Sequence, residues 1–159
     1  MRQTRYPQPY ECWTFEDDGL DLRQRMGRLM VATKGPRFYG IGRGLDAWLA
    51  EQGARDGELS VFLRHTSASL TIQENADPDV QADLADALSR LAPEDAGWRH
   101  TTEGPDDMPA HVKSALTGVS LQVPVVAGRL DLGTWQEVYL IEHRREPHQR
   151  SLTLRYLGT

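Results

Sequence analysis

Apolar positions along this chain change period several times, and each change marks an element. Residues 11–15 (ECWTF) read as a strand, and Asp17-Asp18-Gly19 behind them is turn chemistry. Residues 28–33 (RLMVAT) read as a second strand. Leu45, Trp48 and Leu49 then recur at helical spacing, with Gly53 placed to end that helix. Residues 58–64 (ELSVFLR) alternate weakly and suit a buried strand, and residues 70–72 continue as another after a short polar break. The clearest helix starts at Asp77-Pro78, because aspartate accepts backbone N–H bonds as an N-cap and proline fits the first helical position. Val80, Leu84, Leu88 and Leu91 form its apolar stripe, and Pro93 marks its end. A shorter helix starts near Asp106, capped by that residue, with Met108, Val112, Ala115 and Leu116 on one face and Gly118 as its stop. The remainder reads as antiparallel sheet over 121–126, 129–132, 135–143 and 151–156, with Gly128 in the hairpin between the first two.

Strand and helix patterns mixed in this way predict an α+β fold. The 159 residues suit one domain, 1–159, and a chain of this length buries about 68–70% of its unfolded surface without disulfide staples. Four Trp, five Tyr and three Phe argue for a folded globule over a disordered chain. A single cysteine, Cys12, excludes an internal disulfide framework and a cysteine-based zinc ribbon. No apolar run approaches the roughly 18 residues of a membrane span, and residues 1–10 lack the apolar core of a signal peptide. A cytoplasmic protein with no membrane partner is the expectation. Eighteen Lys and Arg against 23 Asp and Glu leave a net charge of −5, with the basic residues scattered, which argues against a nucleic-acid partner. The densest basic cluster is Arg144, Arg145 and Arg150, enough for a small anionic ligand.

The candidate chemistry centres on histidine. His65 opens HTSAS, His100 lies in WRHTTEGPDD, His111 lies in DDMPAHVK, His143 ends a strand, and His148 sits in a proline-containing loop. Three neutral imidazoles converging on one point would hold zinc or a similar transition metal. Their spacing alone is not diagnostic of a metal site, and surface or hydrogen-bonded core histidines are the alternative. Glu103, Asp106 and Asp107 bring carboxylates beside His100 and His111, where they would ligate an ion or orient the imidazoles. Asp106 has a second use as helix cap, whereas Asp107 has no such simple role. Lys113 follows His111 by two positions, so the two do not share a helix face. Ser67 and Ser69 offer hydroxyls to phosphate or carboxylate oxygens, or serve a polar connection between strands. Arg144 reads either as a bidentate phosphate ligand or as one half of a salt bridge. From Trp135 onward, alternation puts Trp135, Glu137, Tyr139, Ile141 and His143 on one face, with Gln136, Val138, Leu140, Glu142 and Arg144 on the other. Both faces are mixed, as expected where another subunit or a polar site is met.

Taken in order, these segments resemble the YjbQ family, also called the secondary thiamine-phosphate synthase family. The resemblance runs through His65-Thr66-Ser67-Ala68-Ser69-Leu70-Thr71, Glu74-Asn75-Ala76-Asp77-Pro78, Glu103-Gly104, and Asp106-Asp107-Met108-Pro109-Ala110-His111. It continues in Lys113-Ser114, Gly118 with Ser120-Leu121, Gly133-Thr134-Trp135-Gln136 and Glu142-His143-Arg144. It departs at Gly40-Ile41-Gly42, where Asp-Ile-Thr is expected, and in 146–150, where only Arg150 of a Gly-Gly-Ser-Arg-Arg-like loop is retained. The resemblance implies an antiparallel two-layer, sandwich-like sheet with two to three flanking helices, assembled as a homotrimer. It implies a transferase joining a pyrimidinylmethyl diphosphate to a thiazole phosphate with release of diphosphate. The alternatives are a metal-dependent hydrolase of a phosphorylated small molecule and a trimeric ligand-binding protein. His65, His100, His111 and Asp107 are then the expected metal ligands. His65, His111, Lys113 and Arg144 are the expected catalytic groups. Ser67, Ser69, Asn75, Gln136, His143 and Arg150 are the expected substrate contacts. Lys113 and Arg144 are expected to face the same cleft as the histidines. Histidines favour zinc or a similar ion, whereas a diphosphate substrate would bring magnesium with oxygen ligands.

Overall fold

A computed structural model describes residues 12–15, by their backbone, and 22–159. The expected turn at Asp17-Asp18-Gly19 lies outside the described residues. The longest strands, β2 (Arg23–Lys34) and β9 (Pro147–Gly158), pair antiparallel over their whole twelve-residue lengths. β1 (Cys12–Phe15) adds to β2, and β4 (Gly57–Leu63), β6 (Ser120–Val126) and β7 (Arg129–Leu130) extend the other side. The resulting sheet has the order β1-β2-β9-β4-β6-β7. Strand β8 (Gln136–Glu142) lies between β3 (Arg37–Gly40) and β5 (Ala68–Glu74) in a second antiparallel sheet. This is the expected two-layer α+β arrangement, with three helices: α1 (Gly42–Glu51), α2 (Pro78–Leu91) and α3 (Asp107–Thr117).

Strand alternation builds the core. Leu59, Val61 and Leu63 of β4 stand in register with Tyr156, Leu154 and Leu152 of β9, and all six are buried. Ala68, Leu70, Val138 and Leu140 of the second sheet join the same cluster, with Leu45, Trp48 and Leu49 of α1. Gly27 makes room for the Trp48 ring, since a Cβ there would stand 2.4 Å from Nε1. In β8, residues Val138 to Glu142 are buried without alternation, because the strand is central in its sheet and covered on both sides. One cover is α2, whose Gln81 donates to the Tyr139 hydroxyl at 3.0 Å.

Several boundaries differ from the sequence reading for physical reasons. Arg37–Gly40 was not expected as a strand, because four residues paired to one neighbour show no periodicity. His148 belongs to the start of β9 rather than to a loop. Helix α1 begins without a capping side chain of its own: Glu137 Oε1 of β8 accepts from Gly42 N at 2.8 Å and from Val138 N at 2.9 Å. A Cβ on Gly42 would stand 2.4 Å from that oxygen, so a larger residue there would displace the Glu137 carboxylate. Asp77 caps α2 as expected, accepting from Asp79 N at 2.9 Å. Asp106 does not cap α3 with its side chain. The buried residues of α3 are Asp107, Pro109, Ala110 and Ser114, while Leu116, assigned to its apolar face, is 58% exposed.

Candidate metal centre

Helix α3 turns a carboxylate inward at its first residue. Asp107 is 1% exposed, and one helical turn later His111 lies on the same face. His100 arrives from the loop between α2 and α3, which is tied by a bond from Trp98 Nε1 to Pro93 O at 2.7 Å. The loop re-enters the helix through Gly104, whose φ of +104° suits glycine. His100 Nε2 and His111 Nε2 stand 2.8 and 3.2 Å from the same atom, Asp107 Oδ2. One ligand atom from each of these three residues lies within 4.8 Å of the others. Arg144 Nη1 donates to Asp107 Oδ1, Nε to Asp106 Oδ2 at 3.2 Å, and Nη2 to Glu103 O at 2.6 Å. Asp106 also accepts from Arg145 N at 2.9 Å. Burial pushes the Asp106 carboxyl up, but the Arg145 amide and the Arg144 guanidinium outweigh it and hold it below its ordinary value.

The hydrogen bonds decide what the imidazoles can do. His111 Nδ1 is 3.0 Å from Thr66 O, and a carbonyl only accepts, so Nδ1 carries the proton. The Nε2 lone pair of a neutral His111 then faces a carboxylate oxygen, an arrangement that calls for a cation or a proton between them. Carbonyl-to-histidine and arginine-to-carboxylate contacts of this kind orient metal ligands in known sites. Two imidazoles and one carboxylate form a donor set suited to zinc or a related ion, with further coordination positions left for substrate or water. The side chains of His100 and His111 are 41% and 32% exposed, so the group opens outward.

His65 does not join the group in this chain. Its Nε2 accepts the Ser151 N–H at 2.9 Å, and burial and the nearby Arg150 lower its proton affinity below the ordinary 6.5. It instead lines, with His111, a recess of about 690 Å³ whose other walls include Phe62, Ala115, Gly118 and Val119.

The other expected residues divide among three places. Arg150 and Glu142, 2% and 1% exposed, form a buried ion pair through two contacts of 2.5 and 2.7 Å. Thr33 donates to Glu142 at 2.7 Å, as do the His143 and Arg144 amides at 3.0 and 2.9 Å. Burial pushes Glu142 up, but these donors, led by Arg150, hold it below its ordinary value. Arg150 also reaches the backbone carbonyl of Ser67 at 3.4 Å. Ser69 is fully buried and bonds His143 Nε2 at 2.8 Å, so it supports that ring and does not face an open cleft. Burial, with Lys113 and Arg150 nearby, lowers the His143 pKa to about 4, while Glu142 opposes the shift.

Asn75 and Gln136 occupy the far end of β5 and β8, where Asn75 Nδ2 donates to Gln136 O at 3.4 Å. Six residue steps along β8, about 20 Å at strand rise, separate Gln136 from Glu142 of the Ala68–Glu142 pair. The expectation of one cleft for Lys113, Arg144 and the histidines needs correction. Arg144 meets the histidine group through Asp107 but is engaged by carboxylates. Lys113 points away from His111 toward a separate niche that it lines with Ser89 and His143. Sequence reasoning missed Ser89 and Arg37, which carry no motif signal, and the Thr66 carbonyl, which lies within HTSAS but acts through its backbone.

Known proteins agree with this architecture. Residues 28–159 match the family described as UPF0047 protein YjbQ-like. The chain is 51% identical to UPF0047 protein sll1880 of Synechocystis over 138 residues, 86% of this chain and 94% of that one. It is 36% identical to UPF0047 protein YugU of Bacillus subtilis over 128 residues, 79% and 93% of the two chains. The crystal structure of the conserved hypothetical protein TT1486 of Thermus thermophilus is similar, with a TM-score of 0.74, 40% identity, and coverage of 81% and 98%. The hypothetical protein APE1520 of Aeropyrum pernix superposes with a TM-score of 0.77 at 30% identity, over 84% and 98%. With the family match spanning both sheets and the His-Asp-His group, this chain belongs to the UPF0047 YjbQ-like family.

Proposed function

We propose that this protein is an enzyme acting on a phosphorylated small molecule at a divalent metal centre formed by His100, Asp107 and His111. The observation that carries the reading is the pair of imidazole nitrogens on one buried carboxylate oxygen, with the Thr66 carbonyl fixing the His111 tautomer. A zinc-like ion held there would supply Lewis acidity toward a phosphoryl oxygen. The chain's own contribution is orientation. Arg144 fixes the Asp107 carboxylate, Thr66 fixes the His111 ring, and Phe62 and Val119 give the recess an apolar wall for the unphosphorylated part of the substrate.

The finer reading is thiamine-phosphate synthesis. The C–O bond of a pyrimidinylmethyl diphosphate breaks, the carbon joins the thiazole phosphate, and diphosphate departs. Magnesium would accompany that diphosphate through oxygen ligands. Family resemblance supports this reaction, and a homotrimer in the cytoplasm belongs to the same reading. Hydrolysis is the second reading, favoured by the engagement of Arg144 with Asp106 and Asp107, which leaves it no free face for a leaving diphosphate. The test is product analysis of zinc-loaded protein with the pyrimidine and thiazole substrates and with a phosphometabolite mixture, beside His111→Ala. Condensation or hydrolysis that falls at least ~100-fold in the variant supports the respective reading, in line with the usual weight of groups acting directly on the reaction. Turnover equal in both proteins overturns the metal centre as the catalytic site. Light scattering near three times the 17.9 kDa chain mass supports the trimer, and a monomer mass removes it.

A further inference from the structure

On the side of α3 away from His111, a niche of about 80 Å³ lies among α2, α3, β3 and β8. One buried water needs about 10–15 Å³ on a comparable measure, so the niche accommodates roughly five to eight such volumes. That is room for a phosphate group.

Its walls carry an excess of donors. Lys113 Nζ is 3.4 Å from Ser89 Oγ, and among the described residues it has no other hydrogen-bond partner and no carboxylate in an ion pair with it. Arg144, Arg145 and Arg150, by contrast, each hold a carboxylate. His143 lines the niche and uses Nε2 toward Ser69. The imidazole is the acceptor available to the Ser69 hydroxyl, so that bond leaves the proton on Nδ1. Nδ1 has no hydrogen-bond partner among the described residues. Arg37 stands exposed on the rim. The carboxylate in the wall, Glu142, is already neutralised by Arg150 and held by Thr33 and two backbone amides. Glu94 and Asp106 lie within electrostatic reach of Lys113, but each is bonded to an arginine.

We propose that this niche is a second binding site, for a phosphate-sized oxyanion, with Lys113 Nζ supplying the charge and Ser89 Oγ and His143 Nδ1–H supplying hydrogen bonds. The site is independent of the metal reading, because Lys113 and His111, two positions apart on α3, lie on different faces of that helix. The phosphate is either free or the end of an ester that leaves past Arg37.

The chain offers an internal control, since Lys34 and Lys113 are its two lysines. The experiment is amine acetylation of the wild-type protein read by mass spectrometry. Inorganic phosphate and glycerol phosphate are tested side by side, against chloride at equal ionic strength. Severalfold protection of Lys113 with Lys34 unchanged supports the site, and the effective anion identifies free or esterified phosphate. Equal protection of both lysines, or none, overturns it. Calorimetric titration of phosphate supplies the affinity. Lys113→Met should weaken binding about tenfold or more, the worth of one charge-assisted hydrogen bond, while His111→Ala leaves it unchanged. Binding lost in His111→Ala and retained in Lys113→Met would assign the anion to the metal recess and overturn the niche. Should Lys113→Met fail to fold, the wild-type acetylation result decides alone.

Discussion

His143 offers a sharp quantitative prediction, because the residue is 6% exposed and its pKa falls from the ordinary 6.5 to about 4. The native state therefore refuses a proton that the unfolded chain accepts between those two values. Bound protons are more numerous in the unfolded state there, so stability rises with pH through the window and falls on acidification. At about 1.4 kcal/mol per unit, the interval amounts to ~3 kcal/mol between pH 7 and pH 4. The perturbation is His143→Gln, which removes the titrating ring and can keep an acceptor for the Ser69 hydroxyl. Urea unfolding of both proteins at half-unit pH steps gives two curves. The other four histidines and Glu142 are common to both and cancel in the difference. The wild type should lose ~3 kcal/mol relative to the variant as pH falls from 7 to 4, with a maximum slope of about 1.4 kcal/mol per unit. Parallel curves over that range would refute the argument that burial, Lys113 and Arg150 keep the ring neutral.

Two further substitutions probe the frame around the site. Gly27→Ala places a methyl against the buried Trp48 indole, so thermal or urea unfolding should show a loss of about 1–3 kcal/mol, typical of overpacking. Arg150→Met leaves Glu142 buried with Thr33 and backbone amides but without its cation, and should cost about 3–5 kcal/mol at pH 7. Because Glu142 is held below its ordinary value chiefly by Arg150 against the burial penalty, its stabilisation is present above about pH 4.5 and is lost as pH falls through the depressed native value. That acid limb should shrink in Arg150→Met.

Local rules made much of the fold legible. Asp77-Pro78 announces α2 because a cap and a helix-compatible proline act within one turn. Asp107 could be singled out as a carboxylate without a capping duty, one turn from His111, and it became the centre of the group. His100 was legible only as a histidine near the same carboxylates, and His65 was not separable from it. Its distance from the others depends on β9, whose Ser151 amide occupies the imidazole. The apolar-stripe rule chose the wrong side of α3 because the inward side carries Asp107 and Ser114, polar residues with partners inside the protein. Strand β3 gave no signal, since its position is set by pairing with β8. The separation of Lys113 from Arg144 follows from the helical rotation of α3 together with the reach of Arg144 from the end of β8. Spacing predicted the first and could not show the second.

Whether His100, Asp107 and His111 hold one divalent ion is decided by titrating metal-stripped protein with Co²⁺, followed by visible absorption and displaced by Zn²⁺. Saturation is expected at one ion per chain, with the signal lost in His111→Ala and in Asp107→Asn. Affinity should be about 10–100-fold weaker in Arg144→Met, whose side chain orients Asp107. A cobalt spectrum that persists unchanged in His111→Ala, or no saturable binding in the wild type, would contradict the assignment of the metal to these three residues.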